Sequence, residues 1–233
     1  MVELSWQGDV AVITMTDGEN RFDGHAVDRW HEVIDELDAH VGPLAVVTTG
    51  TDRFYSNGLD LAWMGTNQAE AGPMIRELHR MWGRFLGLGA VTVAAVNGHA
   101  FGAGALLSSA HDRIVMREDR GYWCMPEVDL ALPVGESMAA LLSATLPAPA
   151  VHRALVTGHR FTGPEALAAG IVAELAPEGE VLDRAVAWAA PLAGKSREVI
   201  AVHKRILHGP TIDLLLAELP VELPSELPGQ TTL

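Results

Sequence analysis

Val91-Thr92-Val93-Ala94-Ala95-Val96-Asn97-Gly98-His99-Ala100-Phe101-Gly102-Ala103-Gly104 joins a β-branched apolar run to a loop carrying three glycines. The first six residues have the composition of a strand buried on both faces, as parallel sheets require. The loop opens a segment of small residues, 102–110, that can form a helix. The first N–H groups of such a helix have no partner within it, so they face whatever sits above the strand end, an arrangement suited to an oxyanion. A dinucleotide-binding fingerprint is the rival for this stretch, because Gly102 and Gly104 supply a GxG. It fails on Leu107, which stands where Gly or Ala is needed, and on a match that begins well past the strand.

The same order recurs upstream. Residues 44–48 read as a buried strand, followed by Phe54-Tyr55-Ser56-Asn57-Gly58-Leu59-Asp60-Leu61, in the position where open α/β sheets place ligand sites. Helices are expected over 25–40, with Val27, Trp30, Val33, Ile34 and Leu37 on one face, and over 73–88. Residues 1–16 give two short strands about a Gly8-Asp9 turn, and 112–116 another strand. From Pro133 the pattern is helical, interrupted by a short strand at 171–174 and turns at Gly158 and Gly170, before a proline-rich extended tail over 219–233. Helix, apolar strand and glycine loop in repetition predict an α/β protein with parallel strands.

Composition narrows the function classes. A chain of 233 residues with 48% hydrophobic content can bury a substantial core. A net charge of -14 excludes nucleic acid and anionic membrane as principal partners, since both need clustered cations. The single cysteine, Cys124, lies in the apolar stretch Tyr122-Trp123-Cys124-Met125, where a buried inert thiol is expected. His99 and His111 lack companions at metal-ligand spacing, so no metal site is expected. Without a leader-like start or an apolar run of roughly 18 residues, a cytoplasmic protein is expected.

Taken together, four motifs resemble one family. Residues 54–60 are similar to the crotonase (enoyl-CoA hydratase/isomerase) motif F-S-A-G-x-D, with Asn57 in place of Ala, and 98–107 to its G-x-A-x-G-G-G-x-E-L helix start. Met125-Pro126-Glu127 resembles its x-P-E, and 157–166 its T-G-x-x-[FI]-x-A-x-E-A turn. Order and spacing match over residues 1–210, and the nearest likeness is to monofunctional enoyl-CoA isomerases.

The resemblance implies a crotonase-type α/β spiral of ββα units over 1–176, a short helical C-terminal region over 177–218, and the tail. It further implies an oxyanion hole formed by the backbone N–H groups of Leu59 and Ala103, with Glu127 as acid/base. Family hydratases carry a second carboxylate in the helix after the second glycine loop, where this chain has Leu106. One carboxylate suffices for a 1,3-proton shift, so isomerisation of 3-enoyl-CoA to 2-enoyl-CoA is expected. Hydration recruiting Asp129 or Glu136, and a catalytically silent acyl-CoA-binding protein, are the alternatives. In an extended segment Asp129 would point away from the site. Coenzyme A, as part of the substrate and with no separate cofactor, is expected to meet the backbone of the first loop at Ser56, Gly58 and Leu61, with Asn57 fixing the loop. Arg21 and Lys204, or Arg205, are expected at its phosphates. A homotrimer or dimer of trimers is the implied assembly.

Overall fold

The computed structural model describes residues 1–217; the expected tail lies outside them. In chain order the elements are β1 (Val2–Gln7), β2 (Val10–Met15), α1 (Gly24–Ala39), β3 (Ala45–Gly50), β4 (Phe54–Ser56), α2 (Leu61–Thr66), α3 (Gln68–Leu86), β5 (Val91–Val96), β6 (His99–Phe101) and α4 (Ala103–Ser109). There follow β7 (Arg113–Arg117), β8 (Trp123–Cys124), α5 (Glu136–Thr145), α6 (Ala148–Thr157), α7 (Gly163–Ala168), β9 (Glu174–Ala176), α8 (Val181–Ala189) and α9 (Arg197–Leu216). A six-stranded sheet runs β1-β2-β3-β5-β7-β9, parallel except for the β1/β2 hairpin. A second sheet, β4-β6-β8, is parallel throughout. The expected ββα spiral is visible in this alternation: each turn lays one strand in the large sheet, one in the small sheet, then helix.

The corners between the two sheets explain three glycines. A Cβ on Gly50, where β3 hands over to β4, would lie 2.1 Å from Phe54 O. On Gly98, between β5 and β6, it would lie 2.1 Å from Arg53 O, and on Gly121, between β7 and β8, 2.6 Å from Gly98 O. The first corner therefore folds backbone on its own backbone and each later corner rests on the one before, which leaves no room for a side chain. Asn97 completes the packing by accepting from Gly50 N at 2.9 Å.

Both faces of the large sheet are covered. On one side Trp30, Leu37, Leu78, Trp82 and Phe85 of α1 and α3 pack against Ile13, Val46 and Ala94. On the other, Val181, Ala185 and Ala189 of α8 cover Val12, Val47, Val93 and Val115. Since α8 belongs to this core layer, the expected boundary at residue 176 is not a break in packing. Helix α9 is pinned by Lys204, only 7% exposed, whose Nζ donates to Ala90 O at 2.9 Å and pairs with Asp112 at 2.8 Å.

Some bounds differ from the sequence expectation. Helix α3 begins at Gln68 and carries Pro73 inside it, because Asn67 ends α2 and starts α3 without an intervening loop. The last strand falls at Glu174–Ala176, two or three residues later than expected, with Ile171 and Val172 buried in the turn that leads to it.

Stability should follow the corner contacts. Gly98→Ala forces a methyl onto the Arg53 carbonyl and is expected to cost about 3 kcal/mol or more, as overpacking without relief does. Gly18→Ala, at φ +55° in open space, should cost only about 1–2 kcal/mol for its left-handed backbone. Urea midpoints of the two variants measure the difference, and equal losses would contradict the stacked-corner account.

Candidate active site

Three loops leave the small sheet from the same end of its parallel strands: 57–60 after β4, residue 102 after β6, and 125–127 after β8. Their starting points are locked to one another, for Ala100 N donates to Tyr122 O and Gly102 N to Cys124 O, both at 2.9 Å.

In the first loop, the N–H of Asn57 donates to Glu19 O at 2.9 Å, that of Gly58 to Ser56 Oγ at 3.2 Å, and that of Asp60 to Phe22 O at 2.9 Å. The N–H of Leu59, between them, donates to no group among the described residues. Gly58 has φ +83°, and a Cβ there would stand 3.0 Å from Phe101 O and 3.6 Å from Ala103 N. The first loop thus lies against the second. Ala103 is the first residue of α4, so its N–H has no acceptor inside the helix, and it too donates to nothing among the described residues. Gly104 packs below, where a Cβ would approach Ser56 O to 2.6 Å.

Glu127 reaches this point from β8. Gly102, at φ +49°, would place a Cβ 3.1 Å from Glu127 Oε1, so the carboxylate lies over the residue that precedes Ala103. Its Oε2 is buried with no hydrogen-bond partner among the described residues. Burial pushes the carboxyl up to about 7, although a hydrogen bond from its own backbone works the other way. Trp123 and Met125 form the buried apolar wall that leads to it.

The other expected residues are placed as follows. The Asp60 side chain caps α2 by accepting from Trp63 N at 2.9 Å. Asn57 Nδ2 donates to Glu19 Oε2 at 2.9 Å, and Arg21 donates to Leu59 O at 3.3 Å. Leu61 opens α2, half-buried, and Leu106 is buried one turn into α4. Two expectations are corrected. Lys204 cannot meet a phosphate, because its ammonium is buried against Ala90 and Asp112, which satisfy it. Ser56, expected to offer its backbone to coenzyme A, is buried as a whole residue, and its Oγ donates to Asn20 O at 2.7 Å, so it holds the loop from beneath. Arg205 is paired with Asp213.

Asp129 and Glu136, the alternative acids, lie as follows. Residues 126–132 form turns, with Leu132 N donating to Glu127 O at 2.9 Å, so the alternation of an extended segment does not set the direction of Asp129. Asp129 is exposed and directed at Gly158, and Glu136 is exposed at the start of α5. His111 bonds Thr48 Oγ1 at 2.9 Å and Leu107 O at 2.8 Å, and burial pushes it down to about 4. His99 stacks on Phe101. Burial pushes the Cys124 thiol up to about 12, which makes it inert. Met64, Met74 and Trp82 are buried core. Among the described residues no cluster of His, Cys, Asp and Glu could hold a metal ion, and no helix is long and apolar enough to cross a membrane. A cavity of about 670 Å³ between α3 and α9 shares no residue with these loops.

Sequence reasoning missed Glu19, Asn20 and Phe22, which hold the first loop. Asn20 donates to Phe54 O at 3.1 Å and Tyr55 O at 3.2 Å from a left-handed backbone at φ 52°. The Asp17-Gly18 turn was the one local signal of this bend.

Comparison with known proteins gives the same placement. Residues 5–223 match the enoyl-CoA hydratase/isomerase family model. The chain is 35% identical to the peroxisomal enoyl-CoA delta isomerase 2 of Arabidopsis thaliana, over 89% of this chain and 92% of that one. It is 31% identical to a carnitinyl-CoA dehydratase of Salmonella agona, over 77% and 66%. Among solved structures, a probable enoyl-CoA hydratase of Mycobacterium tuberculosis superposes with a TM-score of 0.84 at 27% identity, covering 92% of this chain and 91% of that one. Paired glycine loops beside a buried glutamate, the two-sheet spiral and these likenesses agree: the chain is an enzyme of the enoyl-CoA hydratase/isomerase family, with the crotonase fold.

Proposed function

We propose that this enzyme is an enoyl-CoA isomerase that moves the double bond of a 3-enoyl-CoA into conjugation with the thioester. The observation that carries the reading is the Glu127 carboxylate, dry and unpartnered at Oε2, beside the Gly102-Ala103 loop. Its carboxyl, held up near 7, is matched to proton transfer at neutral pH.

In this mechanism the thioester oxygen accepts from the N–H groups of Leu59 and Ala103. Glu127 removes a proton from C2, so the C2–H electron pair becomes the C1=C2 bond of a dienolate and the carbonyl π pair moves onto that oxygen. The proton returns from Glu127 to C4: the oxygen pair re-forms C1=O, the C1=C2 pair moves to C2=C3, and the C3=C4 pair forms the new C4–H bond. Fixed donors of this kind are each worth about 2.7–4 kcal/mol of barrier. Coenzyme A enters and leaves as part of the substrate, with Arg21 at the loop rim as the cation offered to its phosphates. A cytoplasmic homotrimer or dimer of trimers is the assembly proposed with it.

Hydration is the second reading, favoured by the dehydratase and hydratase names among similar proteins. It requires a second carboxylate to orient water, and the corresponding position is the buried Leu106. A silent acyl-CoA-binding protein would have no use for an unpartnered buried carboxylate, which the fold tolerates only at a cost.

Parallel assays of 3-enoyl-CoA and 2-enoyl-CoA thioesters should show isomerisation exceeding hydration. Glu127→Gln should lower isomerase kcat by about 10²- to 10⁴-fold while preserving CoA-thioester binding. Near-native turnover in that variant would refute the single-base mechanism. Leu106→Glu should introduce weak hydration of 2-enoyl-CoA, limited by the lack of a hydrogen-bonding shell around a new buried carboxylate.

Two pH dependences follow from the raised carboxyl. As a base, Glu127 acts ionised, so kcat/KM should rise with pH up to about 7 and then level off. Folding stability moves in the opposite sense. A carboxyl held at about 7, against an ordinary 4.5, favours the fold fully below 4.5, and that contribution is lost as pH rises through 7. Glu127→Gln should therefore match the native protein in stability at pH 4 and exceed it at pH 8 by up to about 3 kcal/mol. Denaturant titrations at the two pH values check this, and a variant no more stable at pH 8 would contradict the buried carboxylate.

A further inference from the structure

The Leu59 donor is carried by a loop that turns on a glycine. Its N–H belongs to the peptide that follows Gly58, a residue at φ +83° with no side chain to restrict it. Catalytic donors lose their value when misplaced by as little as about 1 Å. Something must hold this peptide, and the structure shows what does.

Residues 19–22 run alongside the loop as a strap. Phe22 N donates to Gly58 O at 2.8 Å and Asp60 N to Phe22 O at 2.9 Å, one bond on each side of Leu59. A second set of tethers converges on one oxygen. Glu19 Oε2 accepts from Asn57 Nδ2 at 2.9 Å and from Arg21 Nε at 2.7 Å, with Arg21 Nη2 at 2.6 Å. Arg21, held in this way, extends Nη1 to Leu59 O at 3.3 Å. One carboxylate thus fixes the residue two before the donor and, through the guanidinium, the carbonyl of the donor residue itself.

The fold does not need this arrangement. The Glu19 and Arg21 side chains are 45% and 37% exposed, and an ion pair that open to water adds little to stability. The strap is anchored independently by the buried Asn20, through Phe54 O, Tyr55 O and Ser56 Oγ. The Asn57 amide, with help from Arg21, holds the Glu19 carboxyl below its ordinary range, so it remains an acceptor under working conditions.

We propose that Glu19 is a positioning residue for catalysis: its carboxylate orients Asn57 and Arg21 so that the Leu59 N–H is aimed at the substrate oxygen. The proposal rests on the reading of Leu59 as an oxyanion donor. Being an anion, Glu19 cannot itself bind the phosphates of coenzyme A, and its loss removes the competing partner of Arg21, the cation offered to them, so KM should stay unchanged or fall while kcat drops.

Glu19→Ala should lower isomerase kcat by about tenfold or more, with KM for the 3-enoyl-CoA unchanged or lower. Its Tm should fall by no more than about 2–4 °C, the shift expected from a surface pair in a chain of this size. Glu19→Gln, which keeps an acceptor for Asn57, should recover part of kcat. A direct readout is the infrared carbonyl band of hexanoyl-CoA labelled with ¹³C at the thioester carbon, a saturated probe that cannot isomerise. Bound to the native enzyme, its band should lie below that of the free thioester, and in Glu19→Ala it should return toward the free value. A band lowered equally in both proteins, with equal kcat, would overturn the positioning role and leave the oxyanion hole standing. A native band that is not lowered would overturn the oxyanion assignment, and the positioning role with it. A loss of kcat accompanied by a Tm drop of more than about 10 °C and an unmoved band would make Glu19 merely structural, which also overturns it.

Discussion

At each corner where a strand of the large sheet hands the chain to the small sheet, backbone lies directly on backbone: Gly98 on the Arg53 carbonyl, and Gly121 on Gly98. These contacts set the rise of the spiral. Because no side chain separates one turn from the next, β4, β6 and β8 are held at hydrogen-bonding distance although none exceeds three residues. Strands so short have little stability of their own, since isolated ribbons are marginal even when longer. The small sheet exists because the large sheet and its glycine corners impose it.

From that sheet the active site follows with few further requirements. Parallel strands end on one side, so the loops carrying Leu59, Ala103 and Glu127 leave together. The proposed oxyanion donors are backbone groups, so a strand-to-helix junction rich in small residues can serve chemistry with little side-chain apparatus. Gly102 links the two functions: it takes a left-handed φ of +49° and leaves room for the Glu127 carboxylate at 3.1 Å from where a Cβ would lie. The same residue precedes the unbonded Ala103 N–H and makes space for the Glu127 carboxylate.

Electrostatics divides the molecule in two. The surface carries the net charge of -14, and its ion pairs are largely exposed. Inside, each ionisable group is either satisfied or held neutral by burial. Lys204 has Asp112, His111 has Thr48 and Leu107, and Cys124 stays a thiol. Among the described residues Glu127 is the carboxylate with a buried oxygen, Oε2, that has no partner. Local consistency gives way here, as it commonly does where a site needs a reactive group.

The sequence by itself determined the long elements, because periodicity over 6–20 residues records which face is buried. Helix α1, strand β5 and the β1/β2 hairpin fall where the apolar pattern puts them. It also determined which loops matter, since glycine-rich stretches after buried strands and the Met125-Pro126-Glu127 string stand out in one dimension. What only the tertiary structure decided lies below that resolution. Strands of two or three residues, such as β8, carry no period, so the small sheet that brings the loops together was illegible. Lys204 reads in sequence as a free cation, and only the packing of α9 against α3, which sets it beside Ala90 O and Asp112 at the entries to β5 and β7, reveals it as a buried strut. Glu19 and Asn20 sit some 35 residues before the loop they hold. Their role arises from hydrogen bonds between distant segments, and these exist only once the chain has closed its spiral.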